Sequence, residues 1–395
     1  MTGLFDSRAV ITGAGQSSLG RMLDRPGLAL TAESCLAAIA DAGLEPKDID
    51  GVATYPGAGA DVQRGMAGDS GAGDVINVLG LRVNWYCGTY ETTSQLGPII
   101  NACMAVASGV ANHVVCFRTV TEGTAQKGRG RRTVIPAQPK PGQWSEWGLP
   151  FGQRSPSLIG LYAQRYMAQY GLTREQLAQV AINDRRNAAR NPHAVFREPL
   201  SLSEYLGSRM ITSPLCLYDC DIPMDGSTAI IVSRAGLIKS PPRSPLKVES
   251  VGCATRGRYS FYNLPPTRTS VHDSGAMLWE NTRITSRDVD VAELYDGFSI
   301  LTLVWLEALG FCGEGETGKF VEGGDRIALD GELPINTQGG QLSGGRLHGL
   351  GFLHEACIQL WGEGGERQLK KAPRVAVATA GGGRFSGCVL LSRND

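Results

Sequence analysis

The sequence predicts an α/β protein made of two copies of one α/β unit, with a different region inserted in the first copy. Three observations carry this. Strand-like and helix-like stretches alternate along the chain. LEPKDIDGVATYPG, from Leu44, is matched by ITSRDVDVAELYDG, from Ile284: each has Asp-(Ile/Val)-Asp and then a strand whose tyrosine follows the first aspartate by seven residues. Asp48 and Tyr55 thus have Asp288 and Tyr295 as counterparts, all offset by 240 residues. Finally, the Pro-rich stretch Ser240 to Pro245 reads as a joint between the copies.

In the first copy, Arg8 to Thr12 is a short β-branched strand ending at Gly13-Ala14-Gly15. Thr31 to Ala42 has helical apolar periodicity and stops at Gly43, and Gly51 to Tyr55 is strand-like. Thr93 to Gly109 reads as a long helix of small residues, followed by a strand from His113 to Arg118. The inserted region spans residues 121–208. It opens with a Gly- and Pro-rich loop carrying Lys127, Arg129, Arg131 and Arg132, and continues as two helices, Leu158 to Tyr170 and Arg174 to Arg190. Thr173 before the second helix and Glu175 in its first turn form an N-terminal signal. Residues 1–120 with 209–239 make the first half, and residues 246–395 the second.

The chain has 395 residues, with Lys plus Arg and Asp plus Glu at 38 each. This balance argues against nucleic-acid binding by bulk charge. Ten cysteines lie without regular spacing, mostly in apolar runs, as buried reduced thiols of a cytoplasmic protein do. Cys216 and Cys220 have no second pair or histidine couple, so no metal site is expected. The N-terminus runs directly into a strand and no apolar run reaches membrane-spanning length, so no membrane association is expected.

Four segments carry candidate chemistry. Asn336 to Gly349, NTQGGQLSGGRLHG, is too glycine-rich for a regular element, yet it holds His348, one of only five histidines. Gly339 and Gly340 permit positive φ and close backbone approach, while His348 Nε2 and nearby amides suit a developing oxyanion such as that of a thioester. The competing reading is a histidine satisfied inside a tight loop. Tyr295-Asp296, at the end of the repeated strand, sets a phenol beside an acid where open α/β sheets bind ligands; a satisfied core tyrosine is the alternative. TAGGG, Thr379 to Gly383, comes after the strand Val375 to Ala378, and Thr379, Gly381 and Gly382 there offer a bare backbone surface or a plain turn. VNWYCGTYETTS, Val83 to Ser94, leads into the long helix and brings Cys87 and Thr92 near its N-terminus, where a nucleophile's anionic form is favoured. GAGQSS lacks the third glycine of a dinucleotide fingerprint, and no nucleophile elbow or P-loop is present.

Taken in order, the duplicated unit, the inserted loop domain, ELYDGF, NTQGGQLSGGRLHG and TAGGG resemble a thiolase over essentially the whole chain. RYMAQYGLTREQLAQVAINDRRNAARNP and DCDIPMDGSTAIIVSR are similar to its sterol-carrier-protein-type, lipid-transfer branch. The resemblance implies a five-layer α-β-α-β-α core, a coenzyme A thioester as substrate without a tightly bound cofactor, and a homodimer. The departures are specific. Tyr295-Asp296-Gly297-Phe298 replaces the thiolase N-E-A-F motif, Arg346 falls on the G-H-P histidine with His348 two residues on, and Thr379-Ala380 replaces the second cysteine before Gly-Gly-Gly. Alignment on the helix ending at Gly109 puts Thr92 at the nucleophile; alignment on V-N-x-x-C puts Cys87 there. The helix register is preferred, because the geometry depends on the helix N-terminus.

Without the cysteines, the pattern is similar to the thiolase-fold steroid side-chain aldolases, which carry a tyrosine in this motif and work with an acyl-CoA-binding partner having an OB-fold and zinc ribbon. It implies retro-aldol cleavage of a β-hydroxyacyl-CoA. Tyr295 would take the hydroxyl proton, with Arg346 lowering its pKa, and His348 with Arg346 would hold the enolate. Asn336, Gly339, Gly340, Thr92, Thr379, Gly381 and Gly382 would hold the thioester. The alternatives are a true thiolase using Cys87 and a non-catalytic acyl-CoA carrier.

Overall fold

The computed structural model describes residues 4–5, 8–57, 70–88, 92–127, 146, 148–152, 155–239, 241–256 and 267–393. Arg129, Arg131, Arg132 and Ser240 lie outside these residues.

The strands are β1 (Ala9–Gln16), β2 (Gly51–Thr54), β3 (Trp85–Gly88), β4 (His113–Thr121), β5 (Met210–Thr212), β6 (Leu215–Cys216), β7 (Asp225–Arg234), β8 (Leu246–Thr255), β9 (Val291–Glu293), β10 (Val375–Gly381) and β11 (Phe385–Ser392). All but the β5–β6 hairpin join one sheet in the order β3-β2-β4-β7-β1-β8-β11-β10-β9. The duplication is visible in that order. The first half runs β3-β2-β4-β7-β1 and the second retraces it outward as β8-β11-β10-β9, and the halves touch through Val10 and Ile11 of β1 opposite Lys247 and Leu246 of β8. The place of β3 is taken in the second half by Ile335, which bridges to Ala292 of β9 in parallel.

The aspartates of the repeat explain why both copies look alike. Asp48 Oδ2 accepts from the Glu45 amide and Asp288 Oδ2 from the Thr285 amide, both at 2.8 Å, so each first aspartate closes a one-turn 3-10 helix. Each second aspartate clamps the neighbouring parallel strand: Asp50 accepts from the Asn112 and His113 amides, and Asp290 from those of Arg374 and Val375.

Helix Gly27–Asp41 covers the outer face of the first half's strands, and helix Ser270–Glu280 that of the second half's. Helices Gly97–Ser108 and Gly349–Trp361 lie between the two halves of the sheet, giving the expected α-β-α-β-α layering. Side-chain alternation along β4 feeds both layers: Val114 and Cys116 enter the central core, and Val115 and Phe117 the outer cluster under helix Gly27–Asp41.

Several expected boundaries move for physical reasons. Gly13 and Gly15 lie inside β1 rather than ending it, since a Cβ on either would sit 2.4 Å from backbone of Ala38 in the covering helix. The long helix begins at Gly97 instead of Thr93, with Pro98 in the first turn where its missing N–H costs nothing. β10 continues past Ala378 through Thr379 and Ala380 to Gly381, so only Gly382 and Gly383 are left for the bend before β11. The stretch Gly340–Gly344, read as irregular, is a single π-helical turn entered through Gly339 and Gly340 at positive φ.

Candidate active site

The N-termini of the two central helices meet, and the candidate site forms where they do. Helix Gly97–Ser108 is preceded by Gln95 and helix Gly349–Trp361 by His348. The Gln95 side chain joins them: Oε1 accepts from the Gly349 amide at 3.0 Å while Nε2 donates to the Tyr295 hydroxyl at 3.3 Å. Gly349 must be glycine for this approach, because a Cβ would lie 2.5 Å from Ala380 Cβ and 3.2 Å from Leu96. Through Gln95 one buried phenol is tied to the place where the two helices start.

Tyr295 comes directly after β9 and Leu294, and it is anchored by its own amide, which donates to Thr379 Oγ1 at 2.8 Å. Burial, reinforced by the Asp221 charge, pushes its hydroxyl well above the ordinary phenol value; Gln95 and Arg346 oppose this without cancelling it. Arg346 does pull the Tyr295 pKa down, as expected, but the desolvation outweighs the cation and the phenol stays above its ordinary value. Arg346 is itself engaged, with Nε donating to Glu122 Oε2 at 2.6 Å and Nη1 to Asp221 Oδ1 at 2.9 Å. Burial alone would weaken that guanidinium, but the two carboxylates more than restore it. Asp221 is raised to about 6, by burial against the pull of Arg346.

His348 is 4 % exposed and has φ of 60°. Arg118, rising from β4, points Nε and Nη2 at His348 Nδ1, at 3.3 and 3.0 Å. Burial and the guanidiniums of Arg118 and Arg346 hold the imidazole well below its usual value, so it is neutral. Its amide donates to Gln341 Oε1 at 3.1 Å.

The rest of the glycine-rich segment is held from below by carboxyl groups. Asp296 accepts from the Gln341 amide and the Leu342 amide, at 2.8 and 3.2 Å to Oδ2. A Cβ on Gly340 would fall 2.1 Å from Asp296 Oδ2 and 2.6 Å from Asp184 Oδ2, and one on Gly339 would strike Ala188 at 2.5 Å. Both glycines therefore seat the π-turn on helix Arg174–Ala188 and the acid pair. Burial and the Asp296 charge drive Asp184 well above the carboxylate range, making it the protonated member. Asn336 uses Oδ1 to receive the Leu294 amide at 2.7 Å, tying the loop to the strand that carries Tyr295.

Of the two nucleophile registers, Cys87 lies on β3, with Asn101 Nδ2 donating to its sulfur at 3.6 Å, ten residues before the central helix. Thr92 lies nearer: a Cβ on Gly97 would be 2.0 Å from Thr92 Oγ1, so the threonine packs on the helix start. Gly381 gives its carbonyl to Trp305 Nε1 at 3.0 Å, and Gly382 faces Leu301. Sequence reading missed Gln95, Arg118, Glu122 and Asp221. Among the described residues no group of His, Cys, Asp and Glu could hold a metal ion, and no helix is long and apolar enough to cross a membrane.

The chain belongs to the thiolase family. Residues 8–211 match the model of the thiolase N-terminal domain and residues 253–391 that of the thiolase C-terminal domain-like family. Among relatives, it is 33 % identical over 392 residues to the steroid side-chain-cleaving aldolase of Thermomonospora curvata, covering 97 % of each chain. It is 33 % identical over 367 residues to the 17-hydroxy-3-oxo-4-pregnene-20-carboxyl-CoA lyase of Mycobacterium tuberculosis, covering 91 % of this chain and 93 % of that one. Among solved structures, the Ltp2-ChsH2(DUF35) aldolase superposes with a TM-score of 0.85 at 32 % identity over 98 % of both chains. Human mitochondrial 3-ketoacyl-CoA thiolase, at 14 % identity and a TM-score of 0.69, shares the fold.

Proposed function

We propose that the protein is a carbon-carbon lyase that cleaves a β-hydroxyacyl-CoA by a retro-aldol reaction, giving a ketone and a shorter acyl-CoA. The observation that carries this is the Gln95 bridge, which sets the Tyr295 hydroxyl at the junction of two helix N-termini. An enolate needs such donors and no covalent nucleophile. The relatives with lyase and aldolase names support the same chemistry.

In this reading the β-hydroxyl proton moves to the Tyr295 oxygen while the phenolic proton passes toward Asp221, whose charge the phenol feels and which is ionised above about pH 6. The Cα–Cβ electron pair becomes the thioester enolate, stabilised by the helix N-termini and His348, and the proton returns along the same route to Cα. Arg346 keeps Asp221 placed beside the phenol rather than gripping the enolate. Asn336, Gly339, Gly340 and Thr379 shape the wall, and Thr92, Gly381 and Gly382 border the thioester.

The substrate reading extends to a steroid side chain, and two assemblies accompany it. A second copy fits on β3, which among the described residues pairs only with β2 and leaves Tyr86 exposed. An OB-fold and zinc-ribbon protein is the second partner, in line with the two-protein name of the structural relative. The test is incubation with 17-hydroxy-3-oxo-4-pregnene-20-carboxyl-CoA, with and without such a partner, and mass spectrometry of the products. Ketone plus short acyl-CoA is expected; intact substrate with both arms sinks the lyase reading.

A further inference from the structure

Among the described residues Arg118 is the one charge hydrogen-bonded to the His348 ring, and its geometry is unusual for a buried arginine. It stands in the middle of β4, 1 % exposed. All three guanidinium nitrogens are used: Nη1 donates to the Tyr55 carbonyl at 2.7 Å, and Nε and Nη2 converge on His348 Nδ1. The Tyr55 ring lies beneath, 5.0 Å from the guanidinium carbon. The side chain is thus fixed by backbone on one side and a ring on another, and its Nε and Nη2 converge on one acceptor.

A guanidinium offers only donors. Even with burial lowering Arg118 to about 10, it is charged at neutral pH. His348 Nδ1 therefore faces two N–H groups and must accept. A proton on that nitrogen would point at both, so the neutral ring carries its hydrogen on Nε2, and the imidazolium is excluded by sterics as well as charge. The charged and titratable groups around the ring agree. Arg118 comes from β4 and Arg346 from the same loop, while Glu122 and Asp221 are occupied with Arg346 and no carboxylate among the described residues bonds the ring.

We propose that Arg118 is a positioning residue that locks His348 as the Nε2–H tautomer, so that the buried neutral ring always presents a hydrogen-bond donor to the thioester oxygen. The role at the thioester rests on the lyase reading, but the tautomer lock does not.

The test separates the two. In protein labelled with nitrogen-15 in its histidines, with His348→Gln to assign the signal, the wild-type His348 ring should show a protonated Nε2 and an unprotonated Nδ1, unchanged from pH 8 to pH 5.5. In Arg118→Met, where burial and Arg346 still oppose a proton, the ring should stay neutral but show Nδ1–H beside Nε2–H. Arg118→Lys, which keeps a cationic donor, should retain more of the Nε2–H form than Arg118→Met; a ring that stays wholly Nε2–H in Arg118→Met overturns the lock. A wild-type ring that takes up a proton near pH 6.5, or that carries its hydrogen on Nδ1, overturns the proposal without any variant having to fold. A locked ring in a protein that cleaves no β-hydroxyacyl-CoA would leave the lock standing and remove the lyase reading. Where cleavage is seen, Arg118→Met should lower kcat at least tenfold with KM changed less than threefold; an unchanged kcat overturns the lock's part in turnover.

Discussion

Tyr55 and Tyr295 stand after β2 and β9, equivalent strands of the two halves, and their surroundings differ in kind. The carbonyl of Tyr55 is bonded to Arg118 and its ring supports that guanidinium, so the first tyrosine braces a side chain that acts elsewhere. The Tyr295 backbone is bonded to Thr379, which leaves its hydroxyl to Gln95 and the helix junction. The repeat thus delivers a tyrosine twice to the same place in the backbone. The next residues decide its use: Pro56-Gly57 turns the first chain away, while Asp296 binds the π-turn that carries His348 into the site. The halves share scaffolding, and in the proposed reaction they divide the chemistry.

The largest effect should come from breaking this division at the tyrosines. Tyr295→Phe keeps the ring and removes the oxygen, and cleavage should fall by about 10³-fold, within the usual span for a lost acid/base group. Tyr55→Phe keeps the carbonyl and the ring that Arg118 uses, and should cost less than about tenfold. Product formation followed by mass spectrometry compares them. Equal losses would mean the two tyrosines are not divided as argued.

Where the halves are alike, the effects should be alike. Asp50→Ala and Asp290→Ala each strip charged acceptors from the amides of a neighbouring strand, and each should cost about 2 kcal/mol in a denaturant titration. Asp50 should be the more costly, since it also receives Asn112 Nδ2. A loss in one half alone would break the equivalence.

That symmetry was legible because it is local. Each Asp-x-Asp closes its own turn and grips the adjacent strand, so the pattern survives in both copies within fifteen residues. The site was less legible because its parts come from remote segments. Gln95 sits in TTSQLGP with no signal beyond the Gly-Pro after it, and Glu122 and Asp221 meet only through Arg346. Arg118 did leave a signal: a lone charge inside HVVCFRTVT, a strand buried on both faces, demands a partner. The histidine loop was found by its glycines, yet their main use is to seat the turn against Ala188 and two carboxyls, which no spacing rule reveals.

A smaller effect comes from the charge that only the site contains. Asp221 is raised to about 6, so lowering the pH from 7 to 5 protonates it and should reduce kcat/KM about tenfold. Stability responds in the other sense for this group. A carboxyl raised by folding binds its proton more tightly in the folded state, so its contribution improves as the pH falls from about 6 toward its unfolded value. Asp221→Asn should flatten the acid limb of the rate profile; an unchanged limb would assign it to another group.

The smallest effect is expected at Cys87, and it bears on the one strand the halves do not share. Among the described residues β3 exists only in the first half, and its place in the second is held by the single bridge of Ile335, after which the chain turns into the glycine-rich segment. A thiolase nucleophile works from the start of the central helix, where the helix N-terminus favours a thiolate. Cys87 instead belongs to the edge strand, where its sulfur meets Asn101 in the second turn of the helix, and the helix junction is occupied by Gln95 and Tyr295. Cys87→Ser should therefore leave cleavage within about twofold of wild type, and iodoacetamide should not abolish turnover. An acyl group found on Cys87 by mass spectrometry would reverse the division of labour, since the first half would then supply the nucleophile and the second only the oxyanion donor.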